Sequence, residues 1–258
     1  MSAAPVLPNK FGVTDPDALA QIEGILTSVR ISELTLSPIL GTFDASHLRS
    51  THRYIMQDVY EHAGNCRPSG PHAKIRGLSD GTTHRVDYFN GEEIEERLAA
   101  ALASSETRFA DVDPSDANSV AKWSATAYGD LDYIHAFEDG NSRTLRTFVS
   151  QLVLENTGMR LDWGMATTDD DGSLSIERDK LYRARDKAII PRAIAAATNE
   201  RTMFQLARSL ASLHGAETLE SIMRSGLSVR TVDSDAAGEL SARELFALEQ
   251  QQHELQRQ

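Results

Sequence analysis

The segment from His135 to Arg146, which reads HAFEDGNSRTLR, decides how the rest of the chain is interpreted. A histidine and an acid precede a Gly-Asn turn, and the turn opens onto a predicted helix that carries two arginines one turn apart. The first backbone N–H groups of a helix have no partner inside it, and such helix ends bind anions. A base, a carboxylate, free amides and two cations therefore come together, as chemistry on a phosphate group requires.

This segment lies between two strongly apolar helical patterns. The helix before it begins near Asp113 and runs directly into His135, and the helix after it stops near Gly158, a residue typical of helix C-termini. Apolar residues recur at helical spacing in both patterns. The predicted core positions are Val120, Trp123, Ala127, Leu131 and Ile134 in the first helix and Leu145, Phe148, Leu152 and Val153 in the second.

Three further helices are predicted on the N-terminal side. Residues 14–17 form a helix-start signal, with a capping side chain and a proline in the first turn. A second helix spans roughly Asp44 to Glu61, and a third begins at Glu92. Their predicted buried positions are Leu19, Ile22, Ile25 and Leu26 in the first, Leu48, Ile55 and Val59 in the second, and Ile94, Leu98, Ala101 and Leu102 in the third.

The helical period is lost between residues 64 and 91, where turn-forming residues gather. The stretch from Thr82 to Phe89 contains several residues that favour β-strands. A short hairpin and an irregular surface loop both fit this composition.

The C-terminal third contains more helical patterns, at about 176–188, 191–197, 202–213 and 216–224, and a polar end after Gly238 that fits an exposed helix or a frayed tail. The acidic run at 169–172 looks like a calcium loop. However, a loop aligned on Gly172 places Arg178 at the twelfth position, where calcium loops carry a bidentate glutamate. We therefore expect a solvated turn there.

Composition narrows the classes of partner and compartment. The net charge of the 258 residues is −12, which disfavours nucleic acid or an anionic membrane surface as a general partner. The single Cys66 cannot form an intrachain disulfide, and this fits a reducing compartment. No apolar run is long enough to span a bilayer, and the start lacks a signal-peptide pattern. We expect a cytoplasmic protein, with export into a host or neighbouring cell left open.

The segment HAFEDGNSR resembles the signature of the Fic family (filamentation induced by cyclic AMP), His-x-Phe-x-Asp/Glu-Gly-Asn-Gly/Lys-Arg. Three other segments are also similar to the family, in order and at family-like spacing: FGVTDPDAL at 11–19, FDASHLRSTHRYIMQDVYEHAGNCR at 43–67 and YGDLDYI at 128–134. The resemblance covers roughly residues 10 to 165.

The resemblance implies an all-α fold, a Fic-type helical bundle with a small β-hairpin flap over the active site. Residues 1–165 would form the core, with the flap at about 68–90 and the motif loop and helix at 135–157. Residues 166–258 would add C-terminal helices and a polar tail, packed on the core at least to about 225.

The resemblance also implies a protein adenylyltransferase, which moves AMP from ATP to a Ser, Thr or Tyr hydroxyl of a target protein. His135 would be the general base, Asp139 would hold Mg²⁺, and Phe137 would face inward and anchor the loop. The flap would align the target peptide by strand pairing. The residues implied to bind the nucleotide, through backbone amides or guanidinium groups, are Gly140, Asn141, Ser142, Arg143 and Arg146.

One motif position departs from the family. Ser142 stands where the second glycine of Gly-Asn-Gly-Arg is usual, and its side chain could crowd the nucleotide or add a hydroxyl contact. Transfer of another group, such as UMP, phosphate or phosphocholine, therefore stays open. So does a catalytically weak module that binds a nucleotide or a protein.

Many family members carry an inhibitory helix with the motif Ser/Thr-x-x-x-Glu-Gly/Asn, whose glutamate pairs with the first arginine of the signature. Here Glu23 and Gly24 fit its end, but Leu19 stands at the Ser/Thr position, so the motif does not match. We expect either a separate small inhibitory protein or a constitutively competent toxin or effector.

A metal-dependent hydrolase is the weakest alternative. Its ligands would be His52, Asp58 and His62 in the second helix, but His52 and His47 lie too far apart around a helix to share a metal readily. We expect Asp58 and His62 to form a surface or supporting pair.

Overall fold

The computed structural model describes residues 6–163 and 176–229, and these residues form a helical bundle with two small antiparallel sheets. The helices are α1 Pro16–Leu36, α2 Ala45–Met56, α3 Ile94–Phe109, α4 Ala117–Ile134, α5 Asn141–Thr157, α6 Ile176–Ala196, α7 Glu200–Ser212 and α8 Leu219–Gly226. The strands are β1 Ala73–Gly77, β2 Thr83–Asp87, β3 Met159–Leu161 and β4 Leu227–Val229.

Helices α4 and α5 form the centre of the bundle. Helix α4 packs against α3, α5, α6 and α8, and α5 also contacts α1 and α2. Every core position predicted for these two helices is buried. Phe148, one of the largest of them, has no exposed surface and lies edge-on against Phe43 in front of α2.

Aspartate side chains cap the N-termini of α1, α2 and α4. The carboxylate of Asp15 accepts the N–H of Ala18 at 2.7 Å, and Pro16 occupies the first turn of α1, as the sequence predicted. Asp44 caps α2 through the N–H of His47, and Asp116 caps α4. These caps fix where each helix starts and therefore which residues face the core.

The hairpin that the resemblance implies at about 68–90 is present. Strands β1 and β2 pair antiparallel, with Ala73 opposite Asp87 and Gly77 opposite Thr83. Strand β2 packs on α6 and α7, and Asp186 of α6 accepts hydrogen bonds from Arg76 at 2.9 Å and His84 at 2.8 Å. The hairpin is thus anchored to the C-terminal helices, not to the core alone.

The predicted end of the second helix and the predicted break at Pro191 were wrong. Helix α2 ends at Met56, and the N–H groups of Val59 and Tyr60 both donate to the Met56 carbonyl in the turn that follows. The two helices predicted on either side of Pro191 are one continuous α6. The proline ring faces solvent while Ile190 beside it is fully buried, so packing outweighs the lost backbone hydrogen bond.

Other differences concern short or outward-facing elements. The pairing of β3 with β4 was not predicted, since strands of three residues leave little pattern in a sequence. Ile25, expected in the core, is 68% exposed, and α1 instead buries Glu23 and Thr27. The acidic run at 169–172, the polar end after Gly238 and the proposed boundary at 165 lie outside the described residues.

In the two described ranges, none of the helices is both long enough and apolar enough to cross a lipid bilayer.

The burial of α1 and α2 gives a matched pair of substitutions. Ile55→Ala removes a side chain with 0% exposure and should lower the free energy of unfolding by about 2–5 kcal/mol. Ile25→Ala, at 68% exposure, should change it by less than about 0.5 kcal/mol. Urea denaturation of both variants measures the difference, and equal losses would contradict the orientation of α1.

Candidate active site

The turn between α4 and α5 is built from two residues with left-handed backbone conformations. His135 ends α4 with φ 50° and ψ 57°, and Gly140 precedes α5 with φ 71°. A Cβ atom at Gly140 would lie 2.8 Å from the sulfur of Met56, and the positive φ there also disfavours any residue with a side chain. The two residues reverse the chain and bring the end of α4 next to the start of α5.

Asn141 closes this turn on itself. Its side-chain oxygen accepts the N–H of Phe137 at 3.0 Å, and its amide donates to the Phe137 carbonyl at 2.6 Å. The Asn141 side chain is therefore used within the loop, and only its backbone N–H is left for a ligand. The N–H groups of Asn141, Ser142 and Arg143 begin α5 and have no acceptor within that helix.

His52 of α2 contacts the loop that joins α4 to α5. Its Nδ1 accepts the N–H of Gly64 at 2.8 Å, so the ring proton is on Nε2 and is donated to the Asp139 carbonyl at 3.1 Å. The ring also stacks on Phe137, with centroids 3.8 Å apart, and Phe137 is buried, as the resemblance implied. Burial lowers the pKa of His52 to about 4, which keeps the ring neutral.

His135 lies at the inner end of a cavity beside the hairpin. Its Nε2 is 3.2 Å from the ammonium of Lys74 in β1, and its Nδ1 is 3.7 Å from the carboxylate of Asp132. Because Lys74 donates to Nε2, the ring proton is on Nδ1 and faces Asp132. Tyr88 stacks on the ring at 3.8 Å.

Burial lowers the pKa of His135 to about 3, although Asp132 acts in the opposite direction. The ring is therefore neutral at neutral pH, and its Nε2 lone pair, which now accepts from Lys74, can take a proton once Lys74 moves away. Burial also lowers the pKa of Lys74, with the nearby guanidinium groups acting in the same direction.

Arg67 holds the end of α4 in place. Its guanidinium donates to the carbonyls of His135 at 2.7 Å and Ile134 at 3.2 Å, and also to that of Phe89. The cation thus satisfies carbonyls that α4 leaves open at its C-terminus. This contact ties the backbone of the histidine to the base of the hairpin.

Arg143 pairs with Glu23 of α1. The two side chains form an ion pair, and Arg143 also donates to the Thr27 hydroxyl at 3.1 Å. Glu23 is buried and accepts a further hydrogen bond from the hydroxyl of Tyr60. The pairing occurs although Leu19 stands at the Ser/Thr position, and the mismatch of the inhibitory motif did not predict this contact.

The cavity above the loop has a volume of about 270 Å³ and is strongly cationic. Arg146 reaches it from α5, and burial lowers the pKa of its guanidinium. The Ser142 hydroxyl accepts a hydrogen bond from Arg185 of α6 at 3.0 Å. The lining residues that carry charge are Lys74, Arg76, Asp139, Arg143, Arg146, Arg178 and Arg185.

Asp139 is the residue that fits a divalent cation at this cavity. One of its oxygens accepts the N–H of Gly140 at 2.6 Å, and the side chain is 46% exposed at the mouth. Within the described ranges, no group of three or more His, Cys, Asp or Glu side chains could hold a metal ion. A single carboxylate suits Mg²⁺ that arrives with substrate phosphates and water as its other ligands.

The hydrolase alternative is contradicted by the positions of its ligands. The ring nitrogens of His52 are used by Asp139 of the loop and by Gly64, and Asp58 forms a bidentate ion pair with Arg30. His62 instead lies 3.5 Å from Glu138.

The structure brings together all the residues predicted for the site and adds several that sequence reasoning missed. The sequence signal for the burial of Glu23 and Thr27 is that they share one helical face with Leu19, a predicted core position. Asp132 lies one turn before His135, a spacing that places both on one side of α4. Lys74 and Arg185 reach the site from elements distant in sequence and leave no local signal.

Comparison with known proteins identifies the relatives of this site. The model of the Fic/DOC family matches residues 42–153. A probable protein adenylyltransferase of Sinorhizobium fredii, y4lH, is 30% identical over 158 residues, which are 61% of this chain and 74% of that protein. The chain belongs to the Fic/DOC family. The resemblance seen in the sequence is thereby confirmed.

A second relative is considerably longer than the chain. The protein adenylyltransferase VbhT of Bartonella schoenbuchensis is 30% identical over 172 residues, 67% of this chain and 34% of that protein. The chain thus spans about a third of the length of one curated relative and about three quarters of the other.

Solved structures show the same fold. The BepC protein of Bartonella tribocorum, a VirB-translocated effector crystallised with AMPPNP, superposes with a TM-score of 0.61 at 17% identity, covering 88% of this chain and 94% of that one. The Fic domain of a Bartonella quintana effector with bound ADP also gives 0.61, at 19% identity, covering 88% and 92%. The helical Fic fold with its hairpin is thereby confirmed.

The buried neutral state of His135 predicts a pH dependence of stability. The unfolded ring binds a proton as the pH falls through about 6.5, whereas the folded ring stays neutral down to about 3. The unfolded state therefore binds more protons in this window, and the free energy of unfolding falls as the pH falls. His135→Gln should reduce the loss between pH 7 and pH 5 by about 2 kcal/mol.

Urea denaturation at pH 7, 6 and 5 measures this difference, with the same substitution at the exposed His214 as the control. Parallel pH profiles for wild type and His135→Gln would show that the His135 ring is not held neutral.

Proposed function

We propose that this protein is an adenylyltransferase that moves AMP from ATP to a hydroxyl side chain of a target protein. The observation that carries the proposal is the placement of a neutral histidine, unpaired helix N–H groups and two arginines around one cavity. The names of the two curated relatives support the same reaction.

The first requirement is to bind the phosphates of ATP. Asn141, Ser142 and Arg143 line the cavity with the start of α5, where the open N–H groups and the helix dipole favour negative charge. The guanidinium groups of Arg146 and Arg143 extend this cationic surface along the same helix. Mg²⁺ held by Asp139 would neutralise charge on the departing pyrophosphate.

The second requirement is to activate the hydroxyl. His135 Nε2 accepts the proton as the hydroxyl oxygen forms a bond to the α-phosphorus. The bond between the α-phosphorus and the bridging oxygen breaks, and pyrophosphate leaves. Asp132, on the other side of the ring, stabilises the imidazolium that forms.

The third requirement is to present the target. Strand β1 is an edge strand above the cavity, and Ile75 at its centre is 70% exposed. An extended peptide adding to this edge would pair its backbone with β1 and bring a hydroxyl toward His135. Lys74, which now donates to Nε2, has to withdraw when the hydroxyl arrives.

Labelled ATP tests the reaction. Incubation with α-³²P-ATP and γ-³²P-ATP separately, in the presence of candidate target proteins, should give protein labelling from the α position only. His135→Ala should reduce this labelling by about 100-fold or more, because the general base is lost. His214→Ala, at an exposed position, is the control. Labelling from the γ position would indicate phosphate transfer, and binding of ATP without labelling would leave a binding module.

The ion pair between Glu23 and Arg143 adds regulation to this proposal. While it persists, Arg143 cannot bind the outer phosphates of ATP, and the buried carboxylate repels them. Glu23 therefore takes the role of the inhibitory glutamate described for the family, from a helix of the same chain. Tyr60 and Thr27 complete the contact in the absence of the motif's Ser or Thr.

Glu23→Ala should raise AMP transfer by about 10-fold or more, because Arg143 becomes free to bind phosphate. Glu33→Ala is the matched control, since Glu33 also lies on α1 and also accepts hydrogen bonds from an arginine and a tyrosine, Arg30 and Tyr54. The initial rate of labelling from α-³²P-ATP measures the effect. Equal rates for the two variants would contradict inhibition by Glu23.

A further inference from the structure

Arg185 of α6 is a buried cation directly behind the site. It is 2% exposed and forms two hydrogen bonds to Asp132, from Nη2 to Oδ1 at 2.7 Å and from Nε to Oδ2 at 2.8 Å. Asp132 has no exposed surface. Burial alone would favour a protonated carboxyl, but the charge of Arg185 and hydrogen bonding outweigh it and hold the pKa of Asp132 below its usual range.

The same guanidinium has a second contact. Its Nη1 donates to the Ser142 hydroxyl at 3.0 Å, in the first turn of α5. Ser142 is the position where the family signature has glycine or lysine. Its side chain is thus held by α6, and its backbone N–H stays at the start of the helix. One side chain therefore contacts both halves of the site, the carboxylate behind the base and the turn that faces the phosphates.

Asp132 can set the state of His135 only while its own charge and position are fixed. His135 Nδ1, which carries the ring proton, lies 3.7 Å from Asp132 Oδ1, longer than a hydrogen bond, so Asp132 acts on the ring through its charge. The charged or titratable groups around the ring are Asp132 from α4 and Lys74, His72 and Tyr88 from the hairpin.

We propose that Arg185 is a positioning residue for the transfer reaction: it fixes Asp132 as an ionised partner of His135 and ties that pair to the phosphate-binding turn through Ser142. The inference rests on the proposed function for its effect on rate. Arg185 lies outside residues 42–153 that match the family model, so α6 contributes to the site although it is not part of the matched segment.

Kinetic measurements on variants of Arg185 and Asp132 test the proposal. All kinetic variants carry Glu23→Ala, so that the ion pair to Arg143 does not limit the rate. Arg185→Met is expected to lower kcat by about 100-fold while KM for ATP changes by less than about threefold, because the base is misplaced while the helix N–H groups, Arg143 and Arg146 still bind the nucleotide. Arg185→Lys retains the charge but not the bidentate contact to Asp132, and it should recover part of kcat.

Arg192→Met is the matched control. Arg192 lies on the same helix and also joins α6 to an aspartate of α4, with Nη2 2.7 Å from Asp130, but neither residue contacts His135 or the loop. It should leave kcat within about twofold. If Arg185→Met fails to fold because it leaves Asp132 unpaired, the double variant Arg185→Met/Asp132→Asn removes both charges and is expected to fold with kcat still reduced.

The state of the His135 ring gives a readout independent of turnover. ¹⁵N NMR of protein with ¹⁵N-labelled histidine should show the His135 ring in the Nδ1–H form in the parent, the protein with an intact Arg185. The His135 signals are assigned by their loss in His135→Ala. In Arg185→Met the charge of Asp132 is no longer compensated, so the pKa of the His135 ring should rise by at least about one unit above that of the parent. The double variant Arg185→Met/Asp132→Asn should reverse this rise.

Two results would overturn the proposal. One is a kcat for Arg185→Met within threefold of the parent, and the other is a titration curve of the His135 ring in Arg185→Met that superimposes on that of the parent. If no variant transfers AMP, the proposed function fails, and the ring titration alone decides whether Arg185 controls His135.

Discussion

The paired hydrogen bonds between the Asn141 side chain and the backbone of Phe137 are the constraint on which the site depends. They close a turn whose two ends are left-handed, at His135 and Gly140. Backbone strain of this kind persists only where surrounding contacts hold it. Here Arg67 on the His135 carbonyl and His52 on the Asp139 carbonyl supply them, so the histidine and the helix start keep a fixed relation.

Three of the arginines around this turn are paired with acids from other elements. Arg143 is matched by Glu23, Arg185 by Asp132 and Arg76 by Asp186, and each pair links two different helices or a helix and the hairpin. Buried ion pairs add little net stability, but breaking one is costly because the remaining charge is left without compensation. They therefore fix which elements meet at the cavity more than they stabilise the fold.

The sequence predicted the centre of the fold well because α4 and α5 each bury one continuous apolar face. The helical spacing of these apolar residues is visible in the sequence itself. It predicted the motif residues because they lie within twelve consecutive positions. It failed at Ile25, where an apolar side chain faces solvent while Glu23 and Thr27 turn inward toward Arg143. A polar contact across 120 residues outweighed hydropathy there, and no local pattern records such a contact.

Helix α1 has one further consequence for how this protein would be controlled. The face that carries Glu23 also carries Leu19 and Leu34, which pack with Ile55 and Met56 of α2 in the N-terminal apolar cluster. Withdrawal of Glu23 by movement of α1 would therefore expose part of that cluster to water. Under the proposed function, the threshold for activation is set by hydrophobic packing, so the active form is the less stable one and sequence changes that loosen α1 act as activators far from the nucleotide.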